Sequence, residues 1–364
     1  MSRDARSGPG RDRGAPAKSS GTARRSAAAS RAGASGSTPA SARRGAAGAA
    51  GKPADGGRAD ALVVGAIPMA ARLTGVLLVL AALAGIASLF PTYLVVGGQE
   101  LSSAAGFGSV LVGLLVPVAN LAVGVVLLRG AIPKFGLAYA GVAGALALGQ
   151  LLIEIYRGSS STTRPAVEVI AGERVLTSSV DVGAGWVLGV AALALIVLAG
   201  AVAVAAWGRT VMEDGGALDP VRSGLAGAAV LLGVATVLAL ALPAADVPDQ
   251  LVTDPTTGLQ TVVTREGPQA LLERPGMALL GGLLLAGAVV LCSVVAPSLR
   301  PRLATVGGLL AIAVTVLAAA MTGLRDAASS PDLEWTLPGA GLVVTGLGYA
   351  VLTALAWRLR RDRA

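Results

Sequence analysis

Eight runs of almost unbroken apolar sequence fill the chain between Leu73 and Trp357, and no other feature narrows its possible folds so far. They cover approximately Leu73 to Phe90, Gly108 to Leu128, Phe135 to Tyr156, Gly183 to Trp207, Gly224 to Leu242, Met277 to Ala296, Leu303 to Leu324 and Gly339 to Trp357. A helix rises about 1.5 Å per residue, so crossing roughly 30 Å of hydrocarbon takes about twenty residues. Each run is close to that length. Lipid offers the backbone no water to bond, and a helix satisfies every N–H and C=O within one segment. The expected fold class is therefore all-α, a polytopic membrane helix bundle of about eight transmembrane helices. Only Arg129 to Lys134 separates the second run from the third, and only Pro297 to Arg302 the sixth from the seventh, which predicts two tight helical hairpins. Trp186, Trp207, Trp335 and Trp357 fall at or near run ends, the headgroup level that amphipathic rings prefer.

Composition agrees with this and removes whole classes of chemistry. Hydrophobic residues make up 54% of the chain and charged ones 14%, a balance foreign to a water-soluble domain. Fifty glycines and only 3% aromatics suit helices packed backbone to backbone. The sequence contains no histidine, which excludes imidazole bases, Ser-His-Asp and Cys-His nucleophiles and imidazole metal ligands. Its one cysteine, Cys292, lies inside an apolar run and reads as a small buried hydrophobe. No catalytic, cofactor-binding or metal-ligating set emerges, and no cofactor is expected.

The chain divides near residue 60. Residues 1–60 are rich in Ala, Gly, Ser, Pro and Arg without hydrophobic period, so they bury too little apolar surface to offset the entropy of ordering. A disordered basic cytoplasmic tail is expected there, ahead of a transmembrane domain over residues 61–364. Through Arg72 this part holds thirteen Lys and Arg against four Asp; the net charge of the whole chain is +8, so the remainder is close to neutral. Such a tail can touch anionic lipid headgroups. With no aromatics among its arginines it lacks the stacking platform of a nucleic-acid binder.

Basic residues also set orientation. Arg129 to Lys134 and Pro297 to Arg302 each carry two basic residues and no acid, and the C-terminal tail carries Arg358, Arg360, Arg361 and Arg363 against Asp362. Asp246 to Arg274, by contrast, holds five acids and two arginines. The segment from Arg209 to Arg222 is neutral to acidic and adds little. Both termini are therefore expected on the cytoplasmic side of the plasma membrane, with lipids and a further membrane protein as partners.

The longer loops then face outward. Residues 166–170 and 175–180 flank the turn residues Ala171 to Arg174, and residues 250–253 and 259–264 flank Asp254 to Gly258. β-Branched runs around turn residues predict two extracytoplasmic β-hairpins. A tandem 4+4 repeat is a further expectation. Val125-Val126-Leu127 precedes Pro133 as Val289-Val290-Leu291 precedes Pro297, and Gly183-Ala184-Gly185 opens the fourth run as Gly339-Ala340-Gly341 opens the eighth. Four helices per half keep both halves in one orientation, related by an axis along the membrane normal.

Three polar side chains are the candidate site positions. Asn120 lies nine residues, or about 13.5 Å along a helix, from Arg129, which puts its amide near the bilayer midplane. Pro117, one turn earlier, removes a backbone donor and predicts a kink beside it. Gln150 and Glu154 lie one turn apart on the third run, Glu154 about 30 Å from Lys134 and so close to the outer interface. Gly141, Ala145 and Gly149 form a small-residue ridge on the same run. Interhelical bonding suffices to explain Asn120, because no charge stands at its depth. The sequence thus points to a non-enzymatic scaffold, assembly or regulatory component of the cell envelope. A transporter or permease subunit is the alternative, favoured by a parallel repeat and disfavoured by the scarcity of ionisable residues deep in the runs. A lipid-modifying membrane enzyme comes third and would need outer carboxylates such as Asp181 or Glu168 to converge.

Overall fold

A computed structural model describes residues 63–96, 99–102, 104, 106–159, 167–170, 173–176, 180–213, 218–247, 250–253, 260–263, 276–329 and 333–359. The predicted tail, residues 1–60, lies outside them. In chain order the elements are β1 (Val63–Val64), α1 (Met69–Ala87), β2 (Thr92–Val96), β3 (Gln99–Ser102), α2 (Phe107–Arg129), α3 (Pro133–Ser159), β4 (Val167–Ile170), β5 (Glu173–Leu176) and β6 (Val180–Val182). They continue with α4 (Ala184–Trp207), β7 (Met212–Glu213), α5 (Arg222–Leu240), β8 (Ala245–Asp246), β9 (Gln250–Thr253), β10 (Gln260–Val263), α6 (Gly276–Ser298), α7 (Arg302–Ser329), β11 (Glu334–Trp335) and α8 (Leu337–Arg358). The eight described helices are all long and apolar enough to cross a membrane, one for each predicted run. This is the architecture of a multi-pass integral membrane protein.

Several helix ends differ from the expected ones for local reasons. α1 begins at Met69 rather than Leu73, because Pro68 caps it in extended geometry and its carbonyl accepts the N–H of Ala71. Arg72 therefore belongs to the first helix. Arg129 and Lys134 are both helical, which reduces the first hairpin connection to residues 130–132. Gly130 ends α2 at φ +69°, a left-handed conformation that a side chain would strain, and sends its N–H to the Leu127 carbonyl. In the second hairpin Pro297 lies inside α6, and Pro301 is the residue that precedes α7. The sequence match of Pro133 with Pro297 thus pairs a helix start with a helix end.

α7 is the most buried helix and α3 the next, and the two pack on each other. In the first half α1 packs on α2 and α4, and α3 on α4 and α2; in the second half α5 packs on α6 and α8, and α7 on α8 and α6. The halves meet through α3 against α6 and α7 and through α2 against α7. The α2–α3 and α6–α7 connections lie at one end of the bundle, the hairpin end. At the opposite, distal end, β2 follows the first helix and pairs antiparallel with β6 before the fourth, as β8 follows the fifth and pairs antiparallel with β11 before the eighth. Gly183 donates its N–H to the Tyr93 carbonyl at 2.9 Å, and Thr336 donates to Ala244 at 3.2 Å. In this geometry Gly183 answers to Thr336, three residues from the Gly339 that the sequence match selects.

The hairpin end carries a similar correspondence. Lys134, in the first turn of α3, holds its ammonium 5.6 Å from the ring centroid of Trp207 at the end of α4. Arg302, opening α7, donates to the carbonyls of Trp357 and Leu359 at the end of α8, at 2.8 and 3.1 Å.

Small residues set the spacing at three crossings. A Cβ on Gly75 would stand 3.0 Å from the Gly124 carbonyl oxygen, one on Gly144 2.7 Å from Gly200 Cα, and one on Gly149 2.5 Å from the Gly281 carbonyl oxygen. The α1–α2, α3–α4 and α3–α6 contacts are therefore made by backbone, which brings dispersion contacts that larger residues would prevent. The ridge expected from Gly141, Ala145 and Gly149 does not act as one surface. Ala145 is exposed, while Gly144 and Gly149 serve two different helices.

The strands form small antiparallel sheets. β4 pairs with β5 and β9 with β10; the register sets Ile170 opposite Glu173, so Glu173 and Arg174 stand in a strand rather than in the predicted turn. β2 joins β3 and β6 in a three-stranded sheet that the sequence reading missed, although Gly97-Gly98 between two β-prone stretches is a hairpin signal.

Candidate functional site

At the distal end a cavity of about 460 Å³ opens on the seam between the halves. α3 supplies Gln150, Glu154 and Arg157 to it, and α7 supplies Thr322 and Asp326; leucines from α4, α5, α6 and α8 complete much of the wall. The volume falls within the roughly 300–1,000 Å³ of small-molecule sites, and an apolar wall with few convergent polar groups is their usual construction.

Glu154 is the most constrained polar group there. Its side chain is 13% exposed, and Arg157, one turn further and 44% exposed, reaches its Oε2 at 3.3 Å. The other oxygen, Oε1, is buried and has no hydrogen-bond partner among the described residues. A buried acceptor left unpaired is costly, so this oxygen marks a position where a donor would be stabilising. The backbone at this point is fixed from α4, because Trp186 donates its indole N–H to the Glu154 carbonyl at 2.9 Å. On α7, Asp326 accepts from Arg325 Nε at 2.9 Å.

A smaller cavity of about 220 Å³ lies inside the first half, walled by Gly85, Pro117, Asn120, Gly189, Ile196 and again Glu154. Asn120 is 1% exposed, and its Oδ1 accepts the hydroxyl of Tyr139 on α3 at 2.9 Å. α2 runs as one helix through Pro117, whose ring seats against Gly85 of α1. The second half has a comparable tie: the Tyr349 hydroxyl lies 2.6 Å from Ser293 Oγ and donates to the Ala229 carbonyl at 2.9 Å, linking α8, α6 and α5.

Of the three predicted positions, Gln150 and Glu154 share the seam cavity, while Asn120 and Glu154 share the smaller one. Sequence reasoning missed Arg157, Asp326, Trp186 and Tyr139. The i, i+3 spacing of Glu154 and Arg157 was a visible signal for the first; nothing in the sequence joins Trp186 to Glu154 across the loop between them. Asp181 lies exposed on β6, and Glu168 lies on β4 in a different sheet. Cys292 is buried, and among the described residues no group of three acids or thiols is placed to hold a metal ion.

No known protein family, curated protein or solved structure matches this chain. Its own cavity and charges carry the functional reading.

Proposed function

We propose that this protein is a non-enzymatic regulatory or assembly component of the plasma membrane that engages a small ligand in the seam cavity, with its distal end outside the cell and both termini in the cytoplasm. One observation carries the reading: a cavity of about 460 Å³, open at one end of a bundle of apolar helices, has a buried carboxylate in its wall. Charge supports the orientation. Arg129, Lys134, Arg300 and Arg302 gather at the hairpin end, where the acid Asp219 is held by Arg222 and Arg300 at 3.3 Å each, whereas Asp181, Asp246 and Glu334 stand at the distal end. The shared neighbour order of the helices supports a tandem 4+4 repeat with its axis between α3 and α7.

A permease is the second reading, favoured by the position of the cavity between the halves. Transported substrates sit near the bilayer midplane. Glu154 stands only five residues, about 8 Å, from the end of α3, which favours binding over passage.

Thr322 lines the cavity and the chain has a single native thiol, so Thr322→Cys in a Cys292→Ser background reports access. A membrane-impermeant maleimide should label it on intact cells and leave it unlabelled in sealed inside-out vesicles. Labelling from both sides would establish the permease instead. Labelling only in the vesicles would invert the orientation, and protection from both sides would remove the open cavity and the proposal with it.

A further inference from the structure

The seam cavity has a definite charge, and that charge selects a ligand class. The wall holds two acids, Glu154 paired with Arg157 on the same helix and Asp326 paired with its neighbour Arg325. The charges also differ in how firmly they are held. Glu154 is mostly buried, with its own backbone tied to α4 through Trp186, whereas Arg157 is nearly half exposed and bonds a single carboxylate oxygen at 3.3 Å. An exposed ion pair of that length is weak and its long cation is free to turn to water. The fixed charge of the cavity is therefore that of the acid.

The geometry points to an organic cation, a primary ammonium carrying a short apolar group, bound with Glu154 as its counter-ion; this rests on the proposal that the seam cavity is a binding site. The ammonium supplies N–H donors for Glu154 Oε1, which has none among the described residues, and for the amide oxygen of Gln150 one turn deeper. The terminal torsion of a Glu side chain is broad, so a small rotation turns that oxygen to the ligand. The apolar group lies among Leu193, Leu240, Leu285 and Leu342. No described residue of the wall is aromatic, so among the described residues no ring cage holds a quaternary ammonium by cation–π attraction. The site prefers the primary amine.

A soluble amine and the headgroup of an aminolipid both present this chemistry. The test uses the full chain in nanodiscs of phosphatidylcholine and phosphatidylglycerol, with radiolabelled n-hexylamine at neutral pH compared with hexanol, hexanoate and hexyltrimethylammonium. Hexylamine should bind saturably, at least tenfold tighter than each of the other three. Glu154→Gln should weaken it at least tenfold, and Arg157→Gln, which frees the carboxylate, should tighten it. Competition by added phosphatidylethanolamine would identify a lipid headgroup as the source, and its failure to compete a soluble amine. Equal binding of hexylamine and hexanol, both blocked by Ala319→Phe in the wall, would overturn the charge preference while leaving a binding cavity. No saturable binding of any probe would overturn both. The comparison among probes needs only the unaltered chain, so it holds even if the Glu154 variant does not fold.

Discussion

Asn120 and Tyr139 show how one polar pair behaves where no water competes. The amide oxygen and the phenol hydroxyl meet at 2.9 Å between α2 and α3, and Asn120 is almost wholly enclosed. Hydrogen bonds between membrane helices are worth about 0.6–2 kcal/mol, because the unfolded chain in lipid finds other partners. Asn120→Leu should therefore lower thermal stability by an amount in that range. Tyr139→Phe should do the same, and the double variant should be no less stable than the worse single one. Melting curves in one detergent decide it; additive losses would mean that the two groups do not depend on each other. The place of Asn120 along α2, nine residues before Arg129, was legible in the sequence, because distance along a helix is fixed by residue count. Its partner was not, since a tyrosine nineteen positions away on another run looks like any other apolar-bodied side chain.

At the scale of elements, the sequence displayed lengths and ends but not faces. Lipid demands a minimum apolar length of each span, and that demand is met residue by residue along the chain. A helix that is apolar on all sides has no amphipathic stripe, so its sequence does not say which side meets protein. The small-residue ridge on α3 illustrates the limit: spacing suggested Gly141, Ala145 and Gly149, whereas packing uses Gly144 against Gly200 and Gly149 against Gly281. Gly144→Ala and Gly149→Ala should each destabilise the protein by about 1–3 kcal/mol through overpacking. Gly141→Ala, with only Val204 near it at 3.9 Å, should change stability by less than about 0.5 kcal/mol. Equal losses at all three positions, measured by chemical or thermal unfolding, would restore the ridge. Loop strands were partly legible. β4, β5, β9 and β10 fall in β-branched stretches, whereas β8 and β11 are two residues long and owe their pairing to the helices that bring them together.

Over the whole molecule, the two sets of four helices share their neighbour order, their distal strand pair and a basic residue facing the terminal tryptophan segment of the last helix. The sequence held only a blurred trace of this, with matches displaced by three or four residues, because an alphabet dominated by Ala, Gly, Leu and Val matches itself at many offsets. If the halves are separately folding units, a chain divided between Glu213 and Leu218, with residues 1–213 and 218–364 co-expressed, should reassemble and co-purify through the α3, α6 and α7 contacts. Recovery of either fragment only as aggregate, with no complex formed, would show that the halves need their covalent link.

An even number of helices in each half has a further meaning for traffic through the seam. Transporters built from upside-down repeats reverse their opening by letting the two repeats trade conformations, and a repeat must have an odd number of spans to leave its successor upside down. Four spans divide into equal repeats only as two and two, so under the proposed tandem 4+4 repeat a trade of conformations returns the opening to the face where it began. Toward the hairpin end the seam is shut by the backbone of Phe135 pressed on Gly307. On the proposed reading, a molecule entering beside Glu154 is in a harbour rather than a lock, and it leaves by the mouth through which it came.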